Sequence, residues 1–238
     1  MKRILVMVLK NLIRIPYYAI CLLLYSREND RHSDQQKYNF LKKIVYYANR
    51  GGNVKIVSSG QDLLPEKNGF ILYPNHQGMY DMLAIIDSFD RPISAVMKKE
   101  VANVPFVKQI RKIMRALPMD REDVRQSMKV ILQVAKEVEE GRIYTNFAEG
   151  TRSRKGNQLL DFKGGSFKAA TKARCPIVPV ALIDSYKSFD TNSIKPLTVQ
   201  VHFLAPIPYE EYKDMKTTEI AAEVKRRIED TIRKYEKS

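Results

Sequence analysis

Residues 69–81 read Gly-Phe-Ile-Leu-Tyr-Pro-Asn-His-Gln-Gly-Met-Tyr-Asp, a short apolar run that turns abruptly polar. Such a run predicts a buried strand that ends in a loop. His76 and Asp81 are five residues apart, so a continuous helix would place them roughly 140° apart and unable to face each other. They can meet if His76 lies in the loop and Asp81 begins the next helix, and Gly78 permits the bend.

The rest of the chain continues this alternation of apolar runs and helical patterns. Strands are predicted at residues 54–57, 69–73, 93–96, 113–117, 143–147, 177–183 and 197–204. Helices are predicted at residues 80–88, 104–111, 124–140, 166–174 and 218–235. Strands that alternate with helices predict an α/β fold, here a layered mixed sheet flanked by helices, with ligands bound at the strand ends.

The first fifty residues predict a membrane-associating element of two helices, at residues 4–25 and 34–48. The first helix is strongly apolar, and at about 100° per residue its polar side chains fall in one stripe roughly 120° wide. These are Arg3, Lys10, Asn11, Arg14, Tyr17, Tyr18, Cys21 and Tyr25. Such a helix, kinked at Pro16, suits insertion into one leaflet with the stripe facing headgroups or protein. A full membrane span and two ordinary core helices are the alternatives.

Length and charge define the class of protein. The 238 residues allow one sizeable core, so residues 51–238 are predicted to form a single catalytic domain that carries residues 1–50 as an appendage. The net charge is +14, and residues 1–50 hold ten basic side chains against three acidic ones. A segment that is both basic and apolar favours an anionic membrane surface over nucleic acid as the partner. Two cysteines and three histidines lack metal-ligand spacing, so no metal is expected.

Four segments that lie at predicted strands carry the residues able to do chemistry. In the first, Asp81 on one nitrogen of His76 would leave the other nitrogen free as a general base. The second, residues 147–153 (FAEGTRS), offers a bendable backbone, a hydroxyl and a guanidinium, which suit a phosphate. The third is residues 117–121 (LPMDR), and the fourth is the strand 177–181 (IVPVA). The proline of the fourth segment indicates an edge strand or a strand start.

Together and in this order, the four segments resemble the lysophosphatidic acid acyltransferase family, the 1-acyl-glycerol-3-phosphate acyltransferases. That family's motifs are close to N-H-Q-S-x-x-D, an Asp/Arg pair, F-P-E-G-T-R-S and a V-P-V run. The match covers residues 69–184. Gly78 stands where serine is commonest and Ala148 where proline is usual, and neither departure touches the polar residues of the motifs.

The resemblance implies a glycerol-3-phosphate acyltransferase-like fold and a role for each matched residue. His76 would deprotonate the acceptor hydroxyl and Asp81 would orient it, and the hydroxyl would attack the thioester carbonyl directly, without an acyl-enzyme. No serine or cysteine nucleophile lies in a motif, which agrees with direct attack because a thioester is already activated. The acceptor would be bound, with the arginines on its phosphate, by Arg121, Glu149, Gly150, Thr151, Arg152 and Lys98.

Each assignment has a simpler alternative. Arg152 could form a structural ion pair with Glu149. Arg121 is surrounded by acidic residues, which could neutralise it. His202, on an alternating strand pattern, is interpreted as a surface or half-buried strand residue.

The predicted activity is transfer of a fatty acyl group to the sn-2 hydroxyl of lysophosphatidic acid, giving phosphatidic acid for phospholipid synthesis. The donor would be acyl-CoA or acyl-carrier protein, with no cofactor. Acylation of glycerol-3-phosphate or another lysophospholipid is the first alternative, and a non-enzymatic basic protein that binds membranes or nucleic acid is a remote one. The expected location is the cytoplasmic face of the cell membrane, in a peripheral or monotopic manner. The residues do not indicate the oligomeric state.

Overall fold

The computed structural model describes residues 2–27 and 31–236 and contains a mixed sheet with helices on both faces. Met1 and residues 28–30, in the predicted N-terminal element, and residues 237–238, at the end of the predicted catalytic domain, lie outside the described residues. The strands are β1 (Val54–Ser59), β2 (Ile71–Pro74), β3 (Ile93–Lys98), β4 (Leu117–Met119), β5 (Ile143–Thr145), β6 (Ile177–Ile183) and β7 (Leu197–Phe203). The helices are α1 (Lys2–Lys10), α2 (Ile15–Tyr25), α3 (Asp34–Gly51), α4 (Asp81–Ser88), α5 (Val107–Ile113), α6 (Val124–Glu139), α7 (Lys168–Ala173), α8 (Tyr209–Tyr212) and α9 (Thr217–Glu236).

The strand order is β1-β7-β6-β2-β5-β3-β4. Strands β6, β2, β5, β3 and β4 are parallel to one another, and β7 is antiparallel to β6. The carboxyl ends of β2, β5, β3 and β4 therefore meet at one edge of the sheet, which we call the parallel edge. The predicted α/β fold with a layered mixed sheet is confirmed.

Two apolar cores cover the two faces of the sheet. Alternate residues of β6 face opposite sides, so that Val178, Val180 and Leu182 join one core and Ile177, Ala181 and Ile183 join the other. The first core includes buried residues of α3 and α4, and the second includes those of α6, α7 and α9. Seven consecutive buried residues in β6 match the continuous apolar run expected of a strand that is covered on both faces.

One predicted strand was misplaced. Residues 113–117 were expected to form it, but Ile113 ends α5 and the strand begins only at Leu117. Arg115 adopts a left-handed backbone conformation (φ 51°) between the two elements. The apolar side chains of this run are buried at the end of the helix rather than in a strand. Because the backbone changes direction at Arg115, the strand begins later in the chain than predicted.

The interpretation of Pro179 as marking an edge strand or a strand start was wrong. Pro179 is the third residue of β6, which lies between β7 and β2 in the sheet. Val180 pairs with Phe203 and Ile177 pairs with Ile207, so three residues of the β7 chain oppose two of β6. This is a β-bulge, where a strand tolerates a residue that lacks a backbone N–H.

The N-terminal apolar segment is broken rather than kinked. It forms α1 and α2, which are bent by 92° across residues 11–14. Asn11 stabilises the break, since its side-chain amide donates to the carbonyls of Met7 (2.8 Å) and Tyr47 (3.1 Å). Pro16 lies in the first turn of α2, where its missing N–H costs nothing.

The polar stripe of this segment faces the protein at three of its positions. Arg3 is 2% exposed and bonds the backbone carbonyls of Gly52 and Lys195, while Asn11 and Tyr18 are also buried. Helix α3, whose last residue is Gly51, then packs on α4. No single described helix is long and apolar enough to cross a membrane, whereas α1 and α2 together meet that length and composition.

Candidate active site

His76 and Asp81 meet at the parallel edge as the sequence predicts. His76 lies in the loop after β2, and Asp81 is the first residue of α4. The His76 Nδ1 atom is 2.7 Å from Asp81 Oδ2. Because a carboxylate only accepts, Nδ1 carries the hydrogen and Nε2 keeps a lone pair. The His76 side chain is 21% exposed, so this pair is accessible from outside the protein.

The Asp81 carboxylate is buried and held by several donors. Oδ2 also accepts from the backbone N–H groups of Gln77 (2.7 Å) and Gly78 (3.1 Å), and Oδ1 accepts from the hydroxyl of Ser185. Asp81 itself is 1% exposed and lies at the N-terminus of α4, where the helix dipole favours a negative charge. The carboxylate is therefore fixed in orientation before any substrate arrives.

Asn75 anchors the loop that carries His76. Its side-chain amide donates to the Leu182 carbonyl at 3.0 Å, and its carbonyl oxygen accepts from the Leu182 N–H at 2.7 Å. These two bonds extend the pairing of β2 and β6 by one step through a side chain. The chain can leave the sheet at residue 76 without leaving a buried backbone group of β6 unpaired.

Glu149, in the loop that follows β5, stabilises the loop that carries His76. Its Oε1 accepts from the backbone N–H of His76 at 2.6 Å, and its Oε2 accepts from the N–H of Leu160 at 2.9 Å. Glu149 is 2% exposed, and burial raises the pKa of its carboxyl while the two N–H donors oppose that shift. Both oxygens are occupied by the protein, which favours a supporting role over the predicted direct contact with the acceptor.

The loop after β5 also packs on the imidazole. Phe147 stacks on His76 with ring centroids 4.2 Å apart and an interplanar angle of 29°. The N–H of Ser153 donates to the His76 carbonyl at 2.8 Å, which holds the end of the FAEGTRS segment beside the histidine. The segment turns at Gly150, where φ is +74° and an added Cβ would approach Lys163 Nζ to 3.0 Å. Thr151, next to Gly150, is exposed.

Arg152 lies beside this anchored point because it directly precedes Ser153. It is partly exposed and forms no ion pair or hydrogen bond with any other residue of the described ranges. The alternative of an ion pair with Glu149 is not observed, and the two Glu149 oxygens accept backbone N–H groups instead. Its guanidinium is thus available to an anion near His76.

Arg121 and Lys98 lie at the same edge but farther along it. Arg121 follows β4, which is three strands from β2, or roughly 14 Å at about 4.8 Å per strand. Two of the nearby acids have other partners, because Asp120 pairs with Lys99 at 3.3 Å and Asp123 caps α6. Lys98, the last residue of β3, pairs with Glu100 at 2.8 Å. Only Arg152 of these three basic residues is therefore adjacent to the histidine.

Two buried residues of the site were not predicted. Gln77 is 1% exposed and joins Asn157, Leu182 and Ser185 through its side-chain amide. Ser185 is fully buried in the turn Ser185–Ser188 after β6. Gln77 lies inside a motif and could have been suspected from its position. No signal marks Ser185, since a lone serine after a strand is common.

The sequence matches known proteins over the region that contains this geometry. The family model described as Acyltransferase matches residues 55–183. The 1-acyl-sn-glycerol-3-phosphate acyltransferase of Salmonella typhimurium is 33% identical over 174 residues, which cover 72% of this chain and 71% of the relative. The protein of the same name from Escherichia coli has the same identity and coverage. That of Borreliella burgdorferi is 32% identical over 151 residues, covering 63% of this chain and 60% of the relative.

The fold matches a solved structure over nearly the whole chain. The crystal structure of the 1-acyl-sn-glycerophosphate acyltransferase from Thermotoga maritima superposes with a TM-score of 0.76, covering 98% of this chain and 97% of that one. The two sequences are 19% identical, so this likeness concerns the fold alone.

Proposed function

This chain belongs to the acyltransferase family, among the relatives of the 1-acyl-sn-glycerol-3-phosphate acyltransferases, and from that premise we propose its reaction. It transfers a fatty acyl group from a thioester to the sn-2 hydroxyl of lysophosphatidic acid and releases phosphatidic acid and the thiol. The observation that carries the proposal is the His76–Asp81 pair, 2.7 Å apart at a strand end, inside the matched region.

In the proposed mechanism, His76 Nε2 accepts the hydrogen of the acceptor hydroxyl as its oxygen attacks the thioester carbonyl carbon. The tetrahedral intermediate collapses, the carbon–sulfur bond breaks, and the thiolate takes the proton from His76. Asp81 holds the proton on Nδ1 and stabilises the positive charge that develops on the ring. The step needs no cofactor besides the thioester, which is either acyl-CoA or acyl-carrier protein.

The acceptor phosphate is proposed to bind Arg152. Its guanidinium can offer two parallel hydrogen bonds to phosphate oxygens, and it has no partner among the described residues. We propose that Arg121, on the loop after β4, adds a second positive charge for binding the anionic acceptor or donor.

The activity can be tested directly with purified protein. A mixture of lysophosphatidic acid, other lysophospholipids and glycerol-3-phosphate is supplied with acyl-CoA or acyl-carrier protein, and products are identified by mass spectrometry. Phosphatidic acid as the main product supports the proposal. If glycerol-3-phosphate or another lysophospholipid is acylated in preference, the protein has a related acyltransferase activity instead, and the proposed acceptor is wrong.

We also propose that α1 and α2 bind the cytoplasmic face of the membrane. Arg3, Asn11 and Tyr18 turn inward, whereas most of the large apolar side chains of the two helices are exposed. Exposed fractions between 42% and 94% belong to Leu5, Val8, Leu9, Leu12, Ile13, Tyr17, Ile20, Leu23 and Leu24. An apolar surface this large, flanked by basic side chains, fits one leaflet of an anionic membrane.

Vesicle sedimentation at low and high salt tests this surface. A variant with Leu9→Ser, Ile13→Ser and Leu23→Ser should lose the salt-resistant part of binding, because less apolar area is inserted. The matched control carries Val124→Ser and Leu132→Ser, two exposed apolar residues of α6 (77% and 46%). Complete release of the wild-type protein by high salt would refute insertion and leave electrostatic attachment.

A further inference from the structure

The turn after β6 supplies a side chain that touches the His76–Asp81 pair from the side opposite the imidazole. Ser185 is 0% exposed, and its hydroxyl lies within hydrogen-bonding distance of Asp81 Oδ1 and 3.0 Å from Gln77 Oε1. The two acceptors compete for one hydrogen, because a hydroxyl donates only once. The choice between them decides what Ser185 does.

Gln77 is already satisfied by other bonds. Its Oε1 accepts the backbone N–H of Ser185 at 3.0 Å, and its Nε2 donates to the Leu182 carbonyl at 2.9 Å and to Asn157 Oδ1 at 2.7 Å. These contacts fix which end of the amide faces Ser185. A carboxylate is also a stronger acceptor than an amide. The Ser185 hydroxyl therefore donates to Asp81.

We propose that Ser185 is a positioning residue for the His76–Asp81 pair, an inference that rests on the proposed function. Its bond to Oδ1 fixes the plane of the carboxylate so that Oδ2 faces the imidazole. It also disperses part of the carboxylate charge, which limits how strongly Asp81 holds the ring in its protonated form. A base that stays protonated cannot accept the hydrogen of the acceptor.

Gly78 allows the turn to come this close. An added Cβ at Gly78 would lie 3.2 Å from Tyr186 Cα and 3.0 Å from Asp190 Oδ2. The aspartate side chain can move, but the Tyr186 backbone can yield only by shifting the turn. Gly78→Ala should therefore push Ser185 away from Asp81 and reproduce part of the effect of losing its hydroxyl.

Ser185→Ala neither adds nor removes a charged group around the pair. Asp81 and Glu149 are the carboxylates that interact with His76, and Asp190 lies against Gly78. On the turn side, Asp184 and Lys187 are paired with each other at 2.7 Å. Substituting Ser185 changes none of these charges, so a change in pH dependence would report the lost hydrogen bond.

Ser188 provides a matched control. It lies in the same turn, is also 0% exposed, and its hydroxyl has no hydrogen-bond partner among the described residues. Ser188→Ala removes a buried hydroxyl of the same kind from the same segment without touching Asp81. It should behave as the wild-type protein does in every kinetic measurement.

The test compares full-length wild type, Ser185→Ala, Gly78→Ala and Ser188→Ala in the pH profile of kcat/KM and in kcat at its plateau. Ser185→Ala should lower kcat about 10-fold, the lower range for a hydrogen bond to a charged group. The acid limb should move to higher pH while the acceptor KM stays unchanged. Gly78→Ala should give smaller shifts in the same direction. An unmoved acid limb in folded Ser185→Ala, or an equal shift in Ser188→Ala, would overturn the inference.

Two further measurements keep the outcome clear. If Ser185→Ala does not fold, Ser185→Cys keeps the size and a weak donor and should give an intermediate shift, whereas a wild-type profile would refute the role. NMR titration of the His76 ring needs no substrate. The pH at which the His76 ring titrates should be higher in Ser185→Ala than in the wild-type protein and should be unchanged in Ser188→Ala. This result is expected even if the wild-type protein is inactive on every lysolipid. Such inactivity would refute only the proposed function.

Discussion

Two histidines of this protein each combine a stacked aromatic ring with polar partners, but they lie in different regions. His76 stacks on Phe147 at the parallel edge, with ring centroids 4.2 Å apart. His202 stacks on Tyr235, at 3.9 Å, where β1 and β7 meet α9. A cavity of about 540 Å³ adjoins His202. Shape and stacking alone would favour His202 as the functional residue.

The hydrogen-bond partners of the two imidazole rings favour His76 as the functional residue instead. His76 has a carboxylate on Nδ1 and keeps Nε2 available. His202 has neutral partners on both nitrogens, Ser59 Oγ at 2.8 Å and Gln200 Oε1 at 3.1 Å. Burial, together with the charge of Lys234, lowers the pKa of His202. His76 has a nitrogen available to act as a general base and an anion to stabilise its protonated form, whereas both nitrogens of His202 contact neutral side chains.

The largest effect separates the two histidines by rate. His76→Ala should reduce acyl transfer by roughly 100- to 10,000-fold, the usual contribution of a general base. His202→Gln, which keeps a polar side chain, should stay close to wild type in the same assay. Circular dichroism should confirm that both variants fold. If His76→Ala retains more than about a hundredth of the wild-type rate, His76 is not the general base.

Substitution of Arg152 tests whether the acceptor phosphate binds next to His76. Arg152→Lys keeps the charge but loses the paired hydrogen bonds to phosphate, which costs about 1.5–3 kcal/mol, or roughly 10- to 150-fold in kcat/KM for the acceptor. A phosphate-free acceptor should suffer no added loss. Arg227→Lys is the control, since Arg227 pairs with Glu223 at 2.7 Å in the His202 region. If Arg152→Lys lowers kcat/KM equally for the phosphate-bearing and the phosphate-free acceptor, Arg152 has a structural role and does not bind the phosphate.

Glu149 tests whether the parallel edge depends on its buried supports. In Glu149→Gln, the side-chain NH₂ group would face a backbone N–H, and two donors cannot form a hydrogen bond. Because the His76 loop then loses one hydrogen bond, we expect kcat to fall about 10-fold. The acceptor KM should change little. Asp161→Asn is the control, because that nearby carboxylate is 99% exposed. A raised KM with unchanged kcat would instead show direct binding of the acceptor by Glu149.

The smallest effect concerns stability in the His202 region. Because the folded-state pKa of His202 is lowered, the unfolded chain binds more protons once the pH falls below about 6.5. Stability is therefore full above that pH and declines below it. His202→Gln should weaken this decline in urea unfolding measured across the range. An identical pH dependence in both proteins would mean that His202 titrates alike in the folded and unfolded states.

The site was predictable where its residues lie within a few positions of one another. The bend at Gly78 and the strand before it were enough to predict that His76 and Asp81 meet, and the structure has them 2.7 Å apart. Glu149 was expected at the acceptor, whereas its oxygens bind two backbone N–H groups. Ser185 is 104 positions from Asp81, so only the pairing of β2 with β6 brings them together.

The fold was predictable by the same rule. Apolar runs such as β6 were confirmed, because a strand buried on both faces has a strong local pattern. The central position of Pro179 was missed, since the bulge that tolerates it forms with a distant strand. The polar stripe of α1 and α2 was recognised, but its direction depends on partners such as Tyr47 and Lys195.

His76, held by Asp81, is proposed to act as the general base of the reaction. The most direct measurement records the pH dependence of kcat/KM with a water-soluble short-chain acceptor, together with NMR titration of the histidine rings in the same protein. The acid limb should coincide with the titration of His76 and not with that of His202. A rate that stays constant through the His76 titration, or follows another group, would contradict it.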